Sequence, residues 1–429
     1  MRAGRGIRAY ADLNVPGPTS RDPAGSGSER RHAGPRGPRP LALHLQLAWL
    51  DAVTRASHAP ADGPDAAARA RLLESLAGLR TYWRHPRREP PVAGSVVWQE
   101  GACRLLDLGP ADALPILVVP SLINRARVLD LAEERSLLRH LAQAGFRPLL
   151  LDWGEPGPRE RGYDVGGYVR GPASDALRAA TRLGGRPPVL LGYCMGGLLA
   201  LALATSRPAR VAGLALLATP WDFHAGGERL SQILAAAFSP VTLQAAATGV
   251  VPVEALQAAF ALLDPPALAG KFRGLAALES GDARAEAFVA VEDWLQDGVP
   301  LAGPAALEIL WHWYAANLPA RGLWRPNGRP VLPERLKVPF FLAIPRRDRI
   351  VPPASAEALA ARLPNATVVR PEGGHVSMVV GRRRREELYE PLADWMRRLA
   401  ARPTAVSDGS RLPTIKRRTG RAPRPGHPV

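Results

Sequence analysis

The sequence predicts an α/β fold built on a mostly parallel, doubly wound sheet with helices on both faces, and three observations predict it. Short, continuous apolar runs recur at 115–120, 147–153, 189–193, 211–217 and 338–344, the pattern of strands buried on both sides. Stretches of helical spacing follow the first, second and last of them at 128–144, 174–183 and 354–363. Between the third run and the apolar helix after it stands Gly192-Tyr193-Cys194-Met195-Gly196-Gly197, a sharp strand-to-helix turn that presents Cys194. Sheets of this kind bind ligands beyond the carboxyl ends of their strands.

At 429 residues the chain is long enough for two or three domains, or for one large α/β domain with insertions. Two cysteines, Cys103 and Cys194, argue against a disulfide framework and make a reducing, cytoplasmic setting the expectation. The formal charge of +17 is carried almost wholly by arginine, with lysine only at 271, 337 and 416. A skew toward Arg, Ala, Gly and Pro is what a GC-rich genome writes in any gene. A basic surface also attracts polyanions such as acidic membranes and the phosphates of coenzyme A. No recognition motif accompanies the charge, so no nucleic-acid partner is expected. No apolar run approaches the ~20 residues that span a bilayer, and the run at 41–50 makes a poor signal peptide.

In chain order, residues 1–40 are rich in Arg, Gly, Pro and Ser and are expected to be a disordered basic segment, or translated leader from a misplaced start codon. A helical N-terminal region follows at 41–94. Its first helix, 41–57, carries Trp49 and Leu50 on the apolar side, which is expected to pack into the core or else to dock on a hydrophobic surface. A second helix at 66–83 precedes a Pro-rich break. The catalytic domain is expected at 95–401, opening on paired strands at 95–99 and 103–107. After the strand at 211–217 the alternation stops, and about 224–336 is mainly helical. An insertion of this size at this point is read as a lid, with Trp311, Trp313 and Tyr314 in the lid core rather than in a ligand cage. The alternation resumes with the strand at 338–344, the helix at 354–363, a strand at 367–370 and a helix at 386–401. A disordered basic tail is expected at 402–429.

Chemistry concentrates in three residues, each expected to follow a strand. Cys194 sits at a helix N-terminus, where the dipole and free N–H groups favour a thiolate, and Gly192 and Gly196 remove the side chains that a strained turn would meet. Asp348 and His375 follow the strands at 338–344 and 367–370, so His375 would take the thiol proton and Asp348 would orient the imidazole. Nucleophile, acid, histidine is the chain order of α/β-hydrolases. Read singly, Cys194 is a buried thiol, Asp348 a turn residue and His375 a surface histidine. An oxyanion hole would use the backbone N–H of Met195 and that of Leu122 or Ile123. No Cys/His cluster has metal spacing and no Gly-rich phosphate loop occurs, so no metal or bound redox cofactor is expected.

Over about 95–400 the chain resembles the polyhydroxyalkanoate synthase family, which carries a cysteine form of the lipase box. Besides the box at 192–197, the resemblance rests on Val119-Pro120-Ser121-Leu122-Ile123-Asn124-Arg125 with Leu129-Asp130-Leu131, on Leu151-Asp152-Trp153-Gly154 and on Ala218-Thr219-Pro220-Trp221-Asp222-Phe223. Asp348-Arg349-Ile350-Val351-Pro352-Pro353 and Gly374-His375 complete it. The chain departs from the family at Arg349, where histidine is common, and in Val376-Ser377-Met378 after His375. The resemblance implies an α/β-hydrolase fold and an acyltransferase that polymerises 3-hydroxyacyl-CoA through a thioester on Cys194 and releases coenzyme A. Asp348 would then, directly or through His375, activate the 3-hydroxyl for chain extension. It implies as partners the growing polyester, a granule surface, and a homodimer or a second synthase subunit. The competing readings are a hydrolase with the same three residues, either an intracellular depolymerase or an acyl-CoA thioesterase, and a non-enzymatic granule-binding relative.

Overall fold

The computed structural model describes residues 38–56, 64–87, 94–261, 265–279 and 281–401. The segments expected to be disordered, 1–40 and 402–429, lie outside the described residues except for 38–40.

One sheet holds eight strands: β1 (Ser95–Glu100), β2 (Cys103–Asp107), β3 (Leu114–Val119), β4 (Phe146–Asp152), β5 (Val189–Tyr193), β6 (Gly213–Leu217), β7 (Phe340–Ala343) and β8 (Thr367–Val369). Their spatial order is β1-β2-β4-β3-β5-β6-β7-β8. The β1–β2 and β2–β4 pairs are antiparallel and the remaining pairs parallel. Every residue of β3, β5, β6 and β7 is buried, which is why these strands read as unbroken apolar runs. From β3 the chain crosses to β4 on one side and then returns to place β5 on the other. That reversal opens the crevice where an open α/β sheet receives ligands.

Helices α1 (Leu41–Ala56), α2 (Pro64–Arg84), α3 (Leu137–Gln143), α4 (Ser174–Gly184) and α5 (Met195–Ser206) precede β6. Between β6 and β7 lie α6 (Glu228–Thr248), α7 (Val253–Ala261), α8 (Pro265–Ala276), α9 (Ala283–Gln296) and a helical stretch at 303–315; α10 (Pro353–Ala360) and α11 (Glu390–Ala400) follow β7. One sheet face, with Leu117, Leu190 and Leu216, packs against α4, α5 and α10. The other, with Val118, Leu191 and Leu217, packs against α3 and α11. Alternation along each strand divides its residues between these two cores.

Three expectations need correction. The single helix at 128–144 is instead a 3₁₀ turn (Ala126–Leu129), a ribbon pairing Asp130–Ala132 with Arg135–Ser136, and α3. The Ser136 side chain accepts the Arg139 N–H and so starts the helix there, while Arg139 Nε donates back to Asp130 at 2.8 Å and closes the ribbon. Trp49 and Leu50 do not pack into the core but are 55% and 49% exposed. The buried face of α1 is His44, Ala48 and Ala52, a spacing of four that the larger apolar residues obscure, and His44 meets Phe272 of α8 edge-on at 5.9 Å. In the 303–315 stretch Trp313 is buried against Phe223 and Trp324, whereas Trp311 is exposed.

Leu117 is fully buried in β3 between both neighbours. Leu117→Ala is expected to cost about 2–5 kcal/mol, measured by urea unfolding against the parent.

Candidate active site

The turn that ends β5 stands at the reversal point of the sheet. Cys194 adopts φ 57° and ψ −131°, a conformation that costs a non-glycine residue about 1–3 kcal/mol. Its N–H donates to the Leu217 carbonyl at 2.8 Å, and its own carbonyl accepts from Gly197 N–H at 2.9 Å. The surroundings leave no room for alternatives. A Cβ on Gly192 would lie 2.4 Å from Gly197 Cα, and one on Gly196 would lie 2.0 Å from the Val119 carbonyl oxygen. Gly197, which spacing alone did not single out, is required for a third reason: its Cβ would meet Thr219 Oγ1 at 1.9 Å.

Asp348 and His375 reach the same edge from the loops after β7 and β8. Asp348 is held from one side, where its Oδ1 accepts the N–H groups of Ile350 at 2.9 Å and Val351 at 2.8 Å. Its other oxygen, Oδ2, takes His375 Nδ1 at 2.7 Å. Nδ1–H therefore donates to the carboxylate, and Nε2 is left for Cys194. The backbone of His375 is fixed as well, because its carbonyl accepts the Tyr193 hydroxyl at 3.2 Å. Both Asp348 and His375 are buried. Burial pulls the His375 pKa down, but the charge on the Cys194 sulfur and the bond to Asp348 outweigh it and push the value up to about 10. The structure thus brings Cys194, Asp348 and His375 together.

Met195 opens α5, so its N–H has no intrahelical carbonyl to meet. In the segment after β3, Ile123 lines the cavity beside Cys194, and its N–H is engaged by Ser121 Oγ at 3.3 Å. The Leu122 side chain is buried in the core.

Cys194 and His375 stand at one side of a cavity of 380 Å³. Ile123 and Val128 of the core wall it together with Val253, Leu256 and Phe260 of α7 and Trp294 of α9. Trp294 Nε1 donates to the Arg125 carbonyl at 2.7 Å, and Arg125 pairs with Glu155 at 2.8 Å and Asp297 at 3.1 Å, which ties the segment after β3 to the inserted helices. A salt bridge between Lys271 and Glu292, 2.7 Å long, lies at the cavity wall with His44. Ile123 apart, sequence reasoning missed these lining residues. The i, i+3, i+7 spacing of Val253, Leu256 and Phe260 was a usable signal, while the Lys271–Glu292 pair had none. Among the described residues no group of three or more His, Cys, Asp or Glu side chains could hold a metal ion. No described helix is long and apolar enough to cross a membrane.

The fold and this edge of the sheet define a class: a family model described as the alpha/beta hydrolase fold matches residues 115–381, and the chain belongs to that family. Within it, the resemblance to polyhydroxyalkanoate synthases is borne out. The chain is 30% identical over 308 residues to the poly(3-hydroxyalkanoate) polymerase subunit of Haloferax mediterranei, covering 70% of this chain and 63% of that one. It is 28% identical over 292 residues to the like-named subunit of Synechocystis sp., covering 66% and 77%. The chain thus spans less than two thirds of the length of the Haloferax mediterranei relative. Among solved structures, an esterase from Thermogutta terrifontis superposes with a TM-score of 0.41 at 18% identity, covering 73% of this chain and 99% of that one.

Gly196→Ala forces a methyl group into the Val119 carbonyl. It is expected to destabilise the fold by about 1–3 kcal/mol and to slow alkylation of Cys194 by iodoacetamide, read by mass spectrometry. The His375 value of about 10 lies above the ordinary 6.5, so the stability it contributes is fully present below pH 6.5 and is lost as pH rises through about 10. In Cys194→Ala the raising charge is gone and burial remains. His375 is expected to titrate at a lower pH than in the parent, followed by NMR of labelled histidine.

Proposed function

We propose that this chain is a polyhydroxyalkanoate synthase-like acyltransferase that polymerises 3-hydroxyacyl-CoA through a thioester on Cys194. The observation that carries the reading is a cysteine at the strained turn, with a histidine–carboxylate pair beside it, at the wall of an apolar cavity. The names of the sequence relatives support it.

In the first step the Cys194 sulfur, its proton already held by His375 Nε2, attacks the thioester carbonyl of the substrate. The tetrahedral oxyanion is received by the N–H of Met195 and by that of Leu122, since Ile123 N–H already has Ser121 Oγ. Collapse breaks the carbon–sulfur bond to coenzyme A. The departing thiolate takes the proton from His375, leaving a 3-hydroxyacyl thioester on Cys194. In the extension step the 3-hydroxyl of an incoming 3-hydroxyacyl-CoA loses its proton to His375, whose charge Asp348 stabilises, and its oxygen attacks the acyl thioester on Cys194. An ester bond forms, the carbon–sulfur bond to Cys194 breaks and its sulfur takes the proton back from His375, leaving the lengthened chain on coenzyme A to return to Cys194 by the first step. Cysteine suits this work because one thioester exchanges readily for another. The helices between β6 and β7 act as a lid that keeps water from the acyl-enzyme, which favours transfer over hydrolysis. Coenzyme A enters as part of the substrate, and no resident cofactor is needed.

Incubation of the purified chain with 3-hydroxybutyryl-CoA is expected to release coenzyme A together with insoluble polymer. Stoichiometric free 3-hydroxybutyrate in its place would make the chain a thioesterase. Cys194→Ala and His375→Ala are each expected to lower coenzyme A release by about 10³-fold or more. Asp348→Asn is expected to allow a first acylation, seen as a mass increase on Cys194, and to stall elongation. Polymerisation by Asp348→Asn at the parent rate would overturn the role given to the acid.

A further inference from the structure

Helix α9 contributes to two cavities. Glu292 and Trp294 border the one that holds Cys194, while Val289 and Asp293 border a second, of 280 Å³, whose other walls come from the segment after β3, the end of α2 and the segment before α11. Nothing in the chemistry of Cys194 uses this second space.

Its walls are cationic in an unusual way. Arg87 is satisfied, since it grips Asp293 through Nε at 2.9 Å and Nη2 at 3.1 Å. Arg127, Arg135 and Arg384 are different. Arg135 Nη1 donates to the Val380 carbonyl at 2.8 Å, and Arg384 donates to the carbonyls of Gly381, at 2.9 Å, and Glu134. Carbonyl oxygens satisfy hydrogen bonds but do not neutralise a cation. The Nε groups of Arg127 and Arg384 are buried and meet no acceptor among the described residues. Glu134 and Glu286 also border the space, so three guanidinium groups stand against two carboxylates there. Burial, and after it the neighbouring charge of Arg384, lower the pKa of Arg135, while Glu134 and Glu286 oppose the shift. Half-buried cations on one wall, with carbonyls as their printed partners, favour an anion that joins them.

We propose that the cavity bounded by Arg127, Arg135 and Arg384 is a binding site for a phosphate-bearing small molecule, distinct from the cavity at Cys194. Phosphate fits the chemistry better than a single carboxylate. Its several oxygens can receive guanidinium N–H groups arriving from different elements, and each planar fork pairs with two of them. The volume accommodates a phosphate or diphosphate group and lies near the lower end of ligand pockets. Bound there, the anion would join Arg127 and Arg135, in the segment after β3, to Arg384, in the segment before α11.

The test uses the full chain, titrated with sodium pyrophosphate and with inorganic phosphate at an ionic strength held constant by chloride. Thermal midpoint and calorimetric heat are the readouts. The Nε of Arg127 meets no acceptor among the described residues, so Arg127→Gln removes no side-chain bond seen there and is expected not to lower the midpoint without ligand. The parent is expected to show a saturable rise with pyrophosphate, and Arg127→Gln and Arg384→Gln to need about tenfold more ligand for half-saturation. A parent response no larger than that to chloride, or an Arg127→Gln response equal to the parent's, would overturn the site. Coenzyme A titrated into Cys194→Ala identifies the source of the phosphate. Competition with pyrophosphate assigns the site to the phosphates of coenzyme A, and pyrophosphate binding without competition assigns it to a free phosphate or another phosphorylated metabolite.

Discussion

The structure depends on the close approach of β3, β5 and α5 around Cys194. A cysteine held at φ 57° is strained, and the strain persists only because glycine at 192, 196 and 197 lets the Val119 carbonyl, the turn itself and Thr219 close in on it. The hydrogen bond from Cys194 N–H to Leu217 then couples the turn to β6. Buried strands on either side supply the packing that offsets the strain, so the most unfavourable backbone conformation of the site sits in the least yielding part of the sheet.

From that turn the rest of the site is a matter of sheet order. Parallel strands bring their carboxyl ends to one edge, and the order β5-β6-β7-β8 carries Asp348 and His375 to the edge that Cys194 already occupies. The carboxylate is over-determined. Two backbone N–H groups hold one oxygen and leave the other for the imidazole, so the ring is aimed before any substrate arrives. Tyr193, next to Cys194 in the chain, closes the circuit by holding the His375 backbone.

The helices between β6 and β7 add what the sheet lacks, an apolar enclosure beside the sulfur. They do so through α7 and α9, fastened to the core by Arg125 and Trp294. α9 therefore meets apolar and reactive groups in one cavity and clustered arginines in the other.

The sequence by itself determined the strands, the turn and the chain order of the three reactive residues, because each is written locally. Unbroken apolar runs mark strands buried on both faces, and a glycine pair flanking a cysteine marks a turn that no larger residues could make. It misjudged 128–144, where a Ser136 cap and the Arg139–Asp130 pair break an apparently continuous helix, and it placed Trp49 and Leu50 in a core that α1 reaches instead through His44, Ala48 and Ala52. Tertiary structure alone decided the need for glycine at 197, the Lys271–Glu292 bridge and the meeting of Arg127, Arg135 and Arg384. Each of these is a distance between residues far apart in the chain, and no local pattern of residue types contains such a distance until the elements have packed.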